Sequence, residues 1–141
     1  MKVVILAGGK GSRISFYTQK IPKPMIKIGN IPILVHIMSI YEHYGFNEFI
    51  IAAGYKSKII EDYFSKSKKF NNVKVIQTGI NSQTGERIVR LKKFLKNDKN
   101  FLLTYGDGVS NVNIKKVIEF HFKHKKIATM TAVRPPIKFG E

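Results

Sequence analysis

The sequence predicts an α/β fold, a doubly wound and mostly parallel sheet, and three observations carry that prediction. Short apolar runs rich in β-branched residues alternate with segments of helical periodicity along all 141 residues. The runs are apolar throughout rather than alternating, which is how strands read when helices cover both faces of a sheet. Several runs end at glycine, at Gly8-Gly9, Gly54 and Gly106, where a strand gives way to a loop.

In order, residues 2–6 form the first strand. Residues 32–44 place Ile33, Ile37, Ile40 and Tyr44 on one helical face, with Pro32 in the first turn and Gly45 as the stop. Residues 48–53 form the second strand, 57–64 a short helix, and 73–77 the third strand. A helix over 84–95 buries Ile88, Leu91 and Leu95, with Thr84 as its N-cap. Residues 101–105 form the fourth strand, Asn113 caps a helix that ends near His124, and 127–133 form a fifth strand. No repeat or linker interrupts the series, so residues 1–141 read as a single domain.

Composition removes several classes of function. The absence of cysteine excludes disulfide scaffolds, Cys-ligated zinc and thiol catalysis. No apolar stretch reaches the roughly 18–20 residues of a membrane span. Residues 1–6 run into glycines without a cleavage-site pattern, so a cytoplasmic protein with no membrane partner is expected.

The 25 Lys plus Arg against 9 Asp plus Glu give a formal charge of +16, a field that attracts nucleic acid, anionic lipid or phosphorylated small molecules. Nearly all of the excess is Lys, and its runs (Lys66, Lys68 and Lys69; Lys123, Lys125 and Lys126) suit solvated helix ends. A basic nucleic-acid-binding module is a distant alternative, because no interleaved aromatics form a stacking platform.

In doubly wound sheets, ligands bind at the carboxyl ends of strands near the point where strand order reverses. The first such loop reads Leu6-Ala7-Gly8-Gly9-Lys10-Gly11-Ser12-Arg13. Its glycines permit a sharp turn and close approach to phosphate, and the basic Lys10 and Arg13 flank Gly11. It is neither a P-loop, since Gly11 separates Lys10 from Ser12, nor a dinucleotide fingerprint, since Ile14 replaces the third glycine.

Beyond it, Pro22 and Pro24 hold Lys23 on a stiff extended platform, where an ammonium group can meet a developing phosphate charge. A surface proline turn with an incidental lysine is the plain alternative. The fourth strand ends in Gly106-Asp107-Gly108. A carboxylate framed by glycines there can reach Mg²⁺, which is held by one or two carboxylates plus substrate phosphates. An ordinary Asp-Gly turn would explain the segment alone, but its place opposite a phosphate loop favours the metal. His36, His43, His121 and His124 lie in helices without metal spacing and read as structural.

In this order, Leu6–Arg13, Pro22-Lys23-Pro24-Met25 and Gly106-Asp107 resemble the sugar-1-phosphate nucleotidyltransferases, and most closely their glucose-1-phosphate cytidylyltransferase branch. The branch resemblance adds Pro32-Ile33-Leu34, His36-Ile37-Met38, Ala53-Gly54-Tyr55-Lys56, Thr84-Gly85-Glu86-Arg87 and Phe139-Gly140. It implies a Rossmann-like nucleotidyltransferase fold and a Mg²⁺-dependent transfer from a nucleoside triphosphate, CTP favoured, to a sugar 1-phosphate such as glucose 1-phosphate. It further implies that Leu6, Ala7, Gly8, Gly9, Gly11, Ser12, Arg13, Thr84 and Arg87 bind the nucleotide. Arg13 and Lys23 would act in catalysis on the phosphates, and Asp107 would bind the metal.

Three departures accompany the resemblance. The stretch from Val73 to Thr84 is shorter than is usual there, and Glu86 stands where a second glycine is usual. Relatives also continue beyond the Phe-Gly position, so a C-terminally truncated fold is expected. The alternative function is then a catalytically incomplete nucleotide-binding fragment. Half of a split enzyme, completed by a downstream polypeptide, is a version of it, and a homo-oligomer is the other partner expectation.

Overall fold

The computed structural model describes residues 1–11 and 18–134, and the chain divides into two compact units, Met1–Ser110 and Asn111–Glu141. In chain order the first unit contains β1 (Val3–Ala7), a 3-10 turn (Lys23–Met25), β2 (Lys27–Ile28), β3 (Ile31–Pro32) and α1 (Ile33–His43). There follow β4 (Glu48–Ala53), α2 (Ser57–Lys66), β5 (Asn72–Gln77), α3 (Thr84–Arg90), α4 (Lys92–Leu95) and β6 (Leu102–Tyr105). The second unit contains α5 (Ile114–His124).

β1, β4, β5 and β6 form a parallel sheet in the order β5-β4-β1-β6. Every residue of β1 is buried, and Ile5 lies in register with Ile51 on one side and Thr104 on the other. On one face, Val4, Leu6, Ile50 and Ala52 pack against Leu91 and Leu95 from the α3–α4 segment. On the other, Phe49 meets Phe70 edge to face at 5.5 Å. The Tyr41 phenol of α1 also reaches the Thr104 side chain there, and its burial pushes its pKa up. Over β1 and β4 both faces are covered, as their apolar runs require, whereas Leu103 and Tyr105 of the edge strand β6 are exposed. The order runs outward from β1 through β4 to β5 and then returns to β6, so it reverses between β1 and β6.

Several local expectations are corrected. Residues 127–134 form no strand, and Ile127, Met130 and Val133 are 103, 90 and 76% exposed. An apolar run becomes a strand only with a ladder partner and cover on its faces, and among the described residues this one has neither. The helix expected over 84–95 breaks at Leu91, whose N–H bonds back to the Ile88 carbonyl at 3.0 Å in a tightened turn. Pro32 caps α1 instead of entering its first turn, because it pairs with Lys27 in the small β2–β3 hairpin. That hairpin turns at Gly29-Asn30, a tight-turn signal lying between Ile28 and Ile31. Lys23 sits in a 3-10 turn rather than an extended segment. Pro22 and Ile26 on either side of it are extended, while Met25 N–H returns to the Pro22 carbonyl at 2.8 Å.

The cap of α3 is Gln83 and not Thr84. The Glu86 carboxylate accepts the Gln83 N–H at 3.3 Å and pairs with Arg90 at 2.6 Å, which holds its carboxyl below the ordinary value of 4.5. A lowered folded-state value stabilises the fold above the unfolded-state value, and that stabilisation disappears as pH falls through the folded-state value. Glu86→Gln is therefore expected to lower the melting temperature near neutral pH and to leave it unchanged well below pH 4.5. The neutral-pH effect is small because the pair is exposed. Equal shifts at both ends of a pH series of thermal melts would contradict this.

In the second unit, Asn113 caps α5 as expected, its side-chain oxygen accepting the Lys116 N–H at 3.0 Å. His121 Nδ1 and His124 Nε2 each lie 2.8 Å from the Thr129 hydroxyl, in keeping with a structural role. Among the described residues, no helix is long and apolar enough to cross a membrane.

Candidate functional site

The carboxyl ends of β1 and β6, the start of α3 and the Lys23–Met25 turn surround a cleft of about 350 Å³. It lies at the reversal between β1 and β6, where open α/β sheets bind ligands. Leu6, Ala7, Gly8, Gly9, Gly11, Lys23, Thr84, Arg87 and Asp107 all line it, whereas Lys10, the basic residue before Gly11, does not. Ser12 and Arg13, and with them Phe139-Gly140, lie outside the described residues. Pro24, Ser82, Gln83 and Tyr105 join the lining without having been predicted. Tyr105 had a signal, as an aromatic directly before Gly106-Asp107.

A larger concavity of about 430 Å³ sits at the amino ends of β1, β4 and β5. It gathers none of the motif residues, and its Lys2 is already paired with Asp98 at 2.5 Å. Size does not mark the site here.

Buried Leu6 and Ala7 fix where β1 ends and the glycine loop begins. Gly11 has φ +64°, and a Cβ there would stand 2.8 Å from Thr18 Cγ2 and 3.2 Å from Lys23 Cβ. The loop is therefore packed directly against the segment that carries Lys23, with Thr18 donating to the Gly11 carbonyl at 3.1 Å. Lys23 Nζ in turn pairs with Asp107 Oδ2 at 2.6 Å, each side chain about one third exposed. The residues predicted for phosphate and for metal thus neutralise each other. A ligand that brings both anionic oxygens and a cation can take each partner separately.

Asp107 is a single carboxylate, and among the described residues no three His, Asp or Glu side chains cluster as metal ligands. That donor set fits Mg²⁺ completed by phosphate and water, and it is too sparse for structural zinc.

Arg87 comes from α3 and is only 5% exposed. Its guanidinium donates to the Thr78 hydroxyl and the Gly79 carbonyl at 2.7 Å each and to the Gly8 carbonyl at 3.1 Å. Burial pushes its pKa below the ordinary value. Glu86, adjacent in sequence, is occupied by Arg90 and the helix cap and is not among the cleft lining.

The model of the family described as Nucleotidyl transferase matches residues 2–140. The chain is 43% identical to the glucose-1-phosphate cytidylyltransferase of Salmonella typhimurium and 39% identical to a probable glucose-1-phosphate cytidylyltransferase of Bacillus subtilis. In both cases 99% of this chain aligns with 63% of the relative. The chain thus spans less than two thirds of the length of these relatives. The first alignment is 162 positions long against 141 residues, so that relative carries residues this chain lacks.

Among solved structures, HddC from Yersinia pseudotuberculosis complexed with GMP-PN superposes with a TM-score of 0.74 at 33% identity, over 85% of this chain and 53% of that one. UDP-glucose pyrophosphorylase complexed with UDP-glucose superposes equally well, with a TM-score of 0.74 over 88% of this chain and 54% of that one. At 20% identity it supports the fold alone. With the motif loops gathered at one cleft of a doubly wound sheet and the family match running almost end to end, this chain belongs to the nucleotidyl transferase family.

Proposed function

We propose that the cleft binds a nucleoside triphosphate, CTP before other bases, and that the protein transfers its nucleotidyl group to a sugar 1-phosphate, glucose 1-phosphate first. The observation behind this reading is the convergence of the glycine loop, Lys23 and Asp107 in one cleft at the strand reversal. The base and the sugar are those in the names of the relatives at 43% and 39% identity.

In the reaction, an oxygen of the sugar phosphate attacks the α-phosphorus. The bond to the β-phosphate oxygen breaks, and pyrophosphate leaves with that electron pair. Lys23 would hold the reacting phosphates, while Gly11, Ser12 and Arg13 would hold the β- and γ-phosphates. Asp107 would hold Mg²⁺, which when bound supplies positive charge to the phosphate oxygens. Such a step asks for positioning and electrostatics rather than a protein nucleophile, and the site has the groups for both. The same reading places the protein in the cytoplasm, where nucleoside triphosphates are available.

Calorimetric titration of CTP with and without Mg²⁺ tests the binding, and pyrophosphate release with CTP and glucose 1-phosphate tests the transfer. Metal-dependent CTP binding and sugar-phosphate-dependent release are expected. A folded protein that binds no nucleoside triphosphate would overturn the reading. One that binds CTP and releases no pyrophosphate would be a nucleotide-binding domain alone.

A further inference from the structure

The Arg87 guanidinium is nearly inaccessible, yet the hydrogen-bond partners it has are all neutral. Besides Thr78, Gly79 and Gly8, it lies 3.5 Å from the carbonyls of Ala53 and Ile80. These groups lie at the carboxyl ends of β1, β4 and β5, so one side chain ties three strand ends together. The Gly8 carbonyl accepts a second hydrogen bond, from Tyr55 N–H at 3.1 Å, so both of its lone pairs are engaged inside the protein. Two glycines leave room for the guanidinium. A Cβ on Gly8 would stand 2.1 Å from Nη1 and 2.3 Å from Cζ, and one on Gly54 would stand 2.7 Å from Nη1.

We propose that Arg87 is a positioning residue that shapes the glycine loop for polyphosphate by holding the Gly8 carbonyl inward and keeping a positive charge beneath the loop. This rests on the reading of the cleft as a nucleotide site. The peptide that joins Gly8 to Gly9 is planar, with its N–H directed opposite to its C=O. Drawing the Gly8 carbonyl into the Arg87 cage therefore turns the Gly9 N–H the other way, and Gly9 lines the cleft. Without Arg87 only the Tyr55 N–H would hold the carbonyl, and a rotation of that peptide would turn an acceptor toward phosphate oxygens, so that two partial negative charges would meet. The guanidinium charge adds to this. No carboxylate hydrogen-bonds it, and the nearby Glu86 charge is paired with Arg90, so its field acts on an anionic ligand in the cleft the more strongly as the ligand's charge rises.

Two measurements on the folded protein test the proposal. Thermal melts of Gly8→Ala, Arg87→Ala and the double variant, without ligand, read the packing. Gly8→Ala is expected to destabilise strongly on its own and little once Arg87 is gone, whereas additive losses would overturn the cage. Titrations of CMP and CTP read the positioning. Arg87→Lys retains charge but loses the fork that reaches several carbonyls, and it serves if Arg87→Ala does not fold.

The CTP-to-CMP affinity ratio is expected to fall in both variants, by about tenfold in Arg87→Ala, as loss of a charge-assisted interaction implies. An unchanged ratio in folded variants would overturn the role, since a merely structural residue would weaken both ligands alike. A wild-type protein that binds neither nucleotide would overturn the reading of the cleft and, with it, the positioning role. The Gly8–Arg87 coupling is still decided by the melts.

Discussion

Asp107→Asn is expected to remove the Mg²⁺ dependence of CTP binding and to reduce pyrophosphate release by more than the roughly 10–100-fold that losing an outer partner of a metal site costs. Among the described residues, the carboxylate is the one acidic group in the lining of the cleft, so none of those neighbours can take its place. The amide preserves the size and position of the side chain between Gly106 and Gly108 while discarding its charge. Its effect is therefore electrostatic rather than a loss of packing.

Lys23→Met makes the opposite change. It strips the ammonium from the 2.6 Å pair and leaves Asp107 free for a cation. CTP is expected to bind that variant more weakly but still with Mg²⁺ dependence. Titrating CTP into both variants with and without Mg²⁺, after checking that each is folded, separates the two roles. Metal-independent binding of equal strength in wild type and Asp107→Asn would sink the metal assignment.

Phe49→Ala is expected to cost about 3–5 kcal/mol of stability, the usual range for removing a buried aromatic side chain. A domain of this size has about 5–15 kcal/mol in all, so the variant loses a large share of it. Phe49 is 1% exposed, stands between Val3 and Val73 in the sheet, and meets Phe70 edge to face. The cavity would open beneath the central strands, where the surroundings are rigid and relax little. Urea unfolding checks this. A loss under about 0.5 kcal/mol, the level of a tolerated surface change, would show that the site collapses around the missing ring.

Of the four sheet strands, β1 and β4 were legible as apolar runs that need cover on both faces, a property of the run itself, whereas β5 and β6 are half-exposed edge strands on which Lys74, Leu103 and Tyr105 are exposed. The run at 127–133 has the same composition and forms no strand. Composition records a need for burial, whereas pairing depends on an edge elsewhere in the fold. The glycine loop, Lys23 and Asp107 were legible as separate motifs, and topology alone could bring them into one cleft.

The Lys23–Asp107 pair was not legible, because nothing near either residue in sequence points to the other. Arg87 was read as a nucleotide contact. Its engagement with carbonyls at three strand ends depends on backbone groups that look the same in every sequence. Gln83, Ser82 and Tyr105 were missed for a related reason: whether a side chain lines a cleft is settled by its neighbours and not by its type.

The sheet order also bears on how the unit is made. β1 leaves the ribosome before the other strands, yet it belongs at an inner position between β4 and β6. Its pairing with β4, and that of β4 with β5, can form while the remainder is still being synthesised, since these strands lie closest in sequence. The other flank of β1 stays open until β6 arrives, and β6 leads directly into the loop that carries Asp107. A nascent chain thus holds a glycine loop without its acidic counterpart until β6 and the loop after it have been made. A ligand that needs both the glycine loop and Asp107 therefore finds its site only after β6 has docked, and it cannot template the earlier pairings.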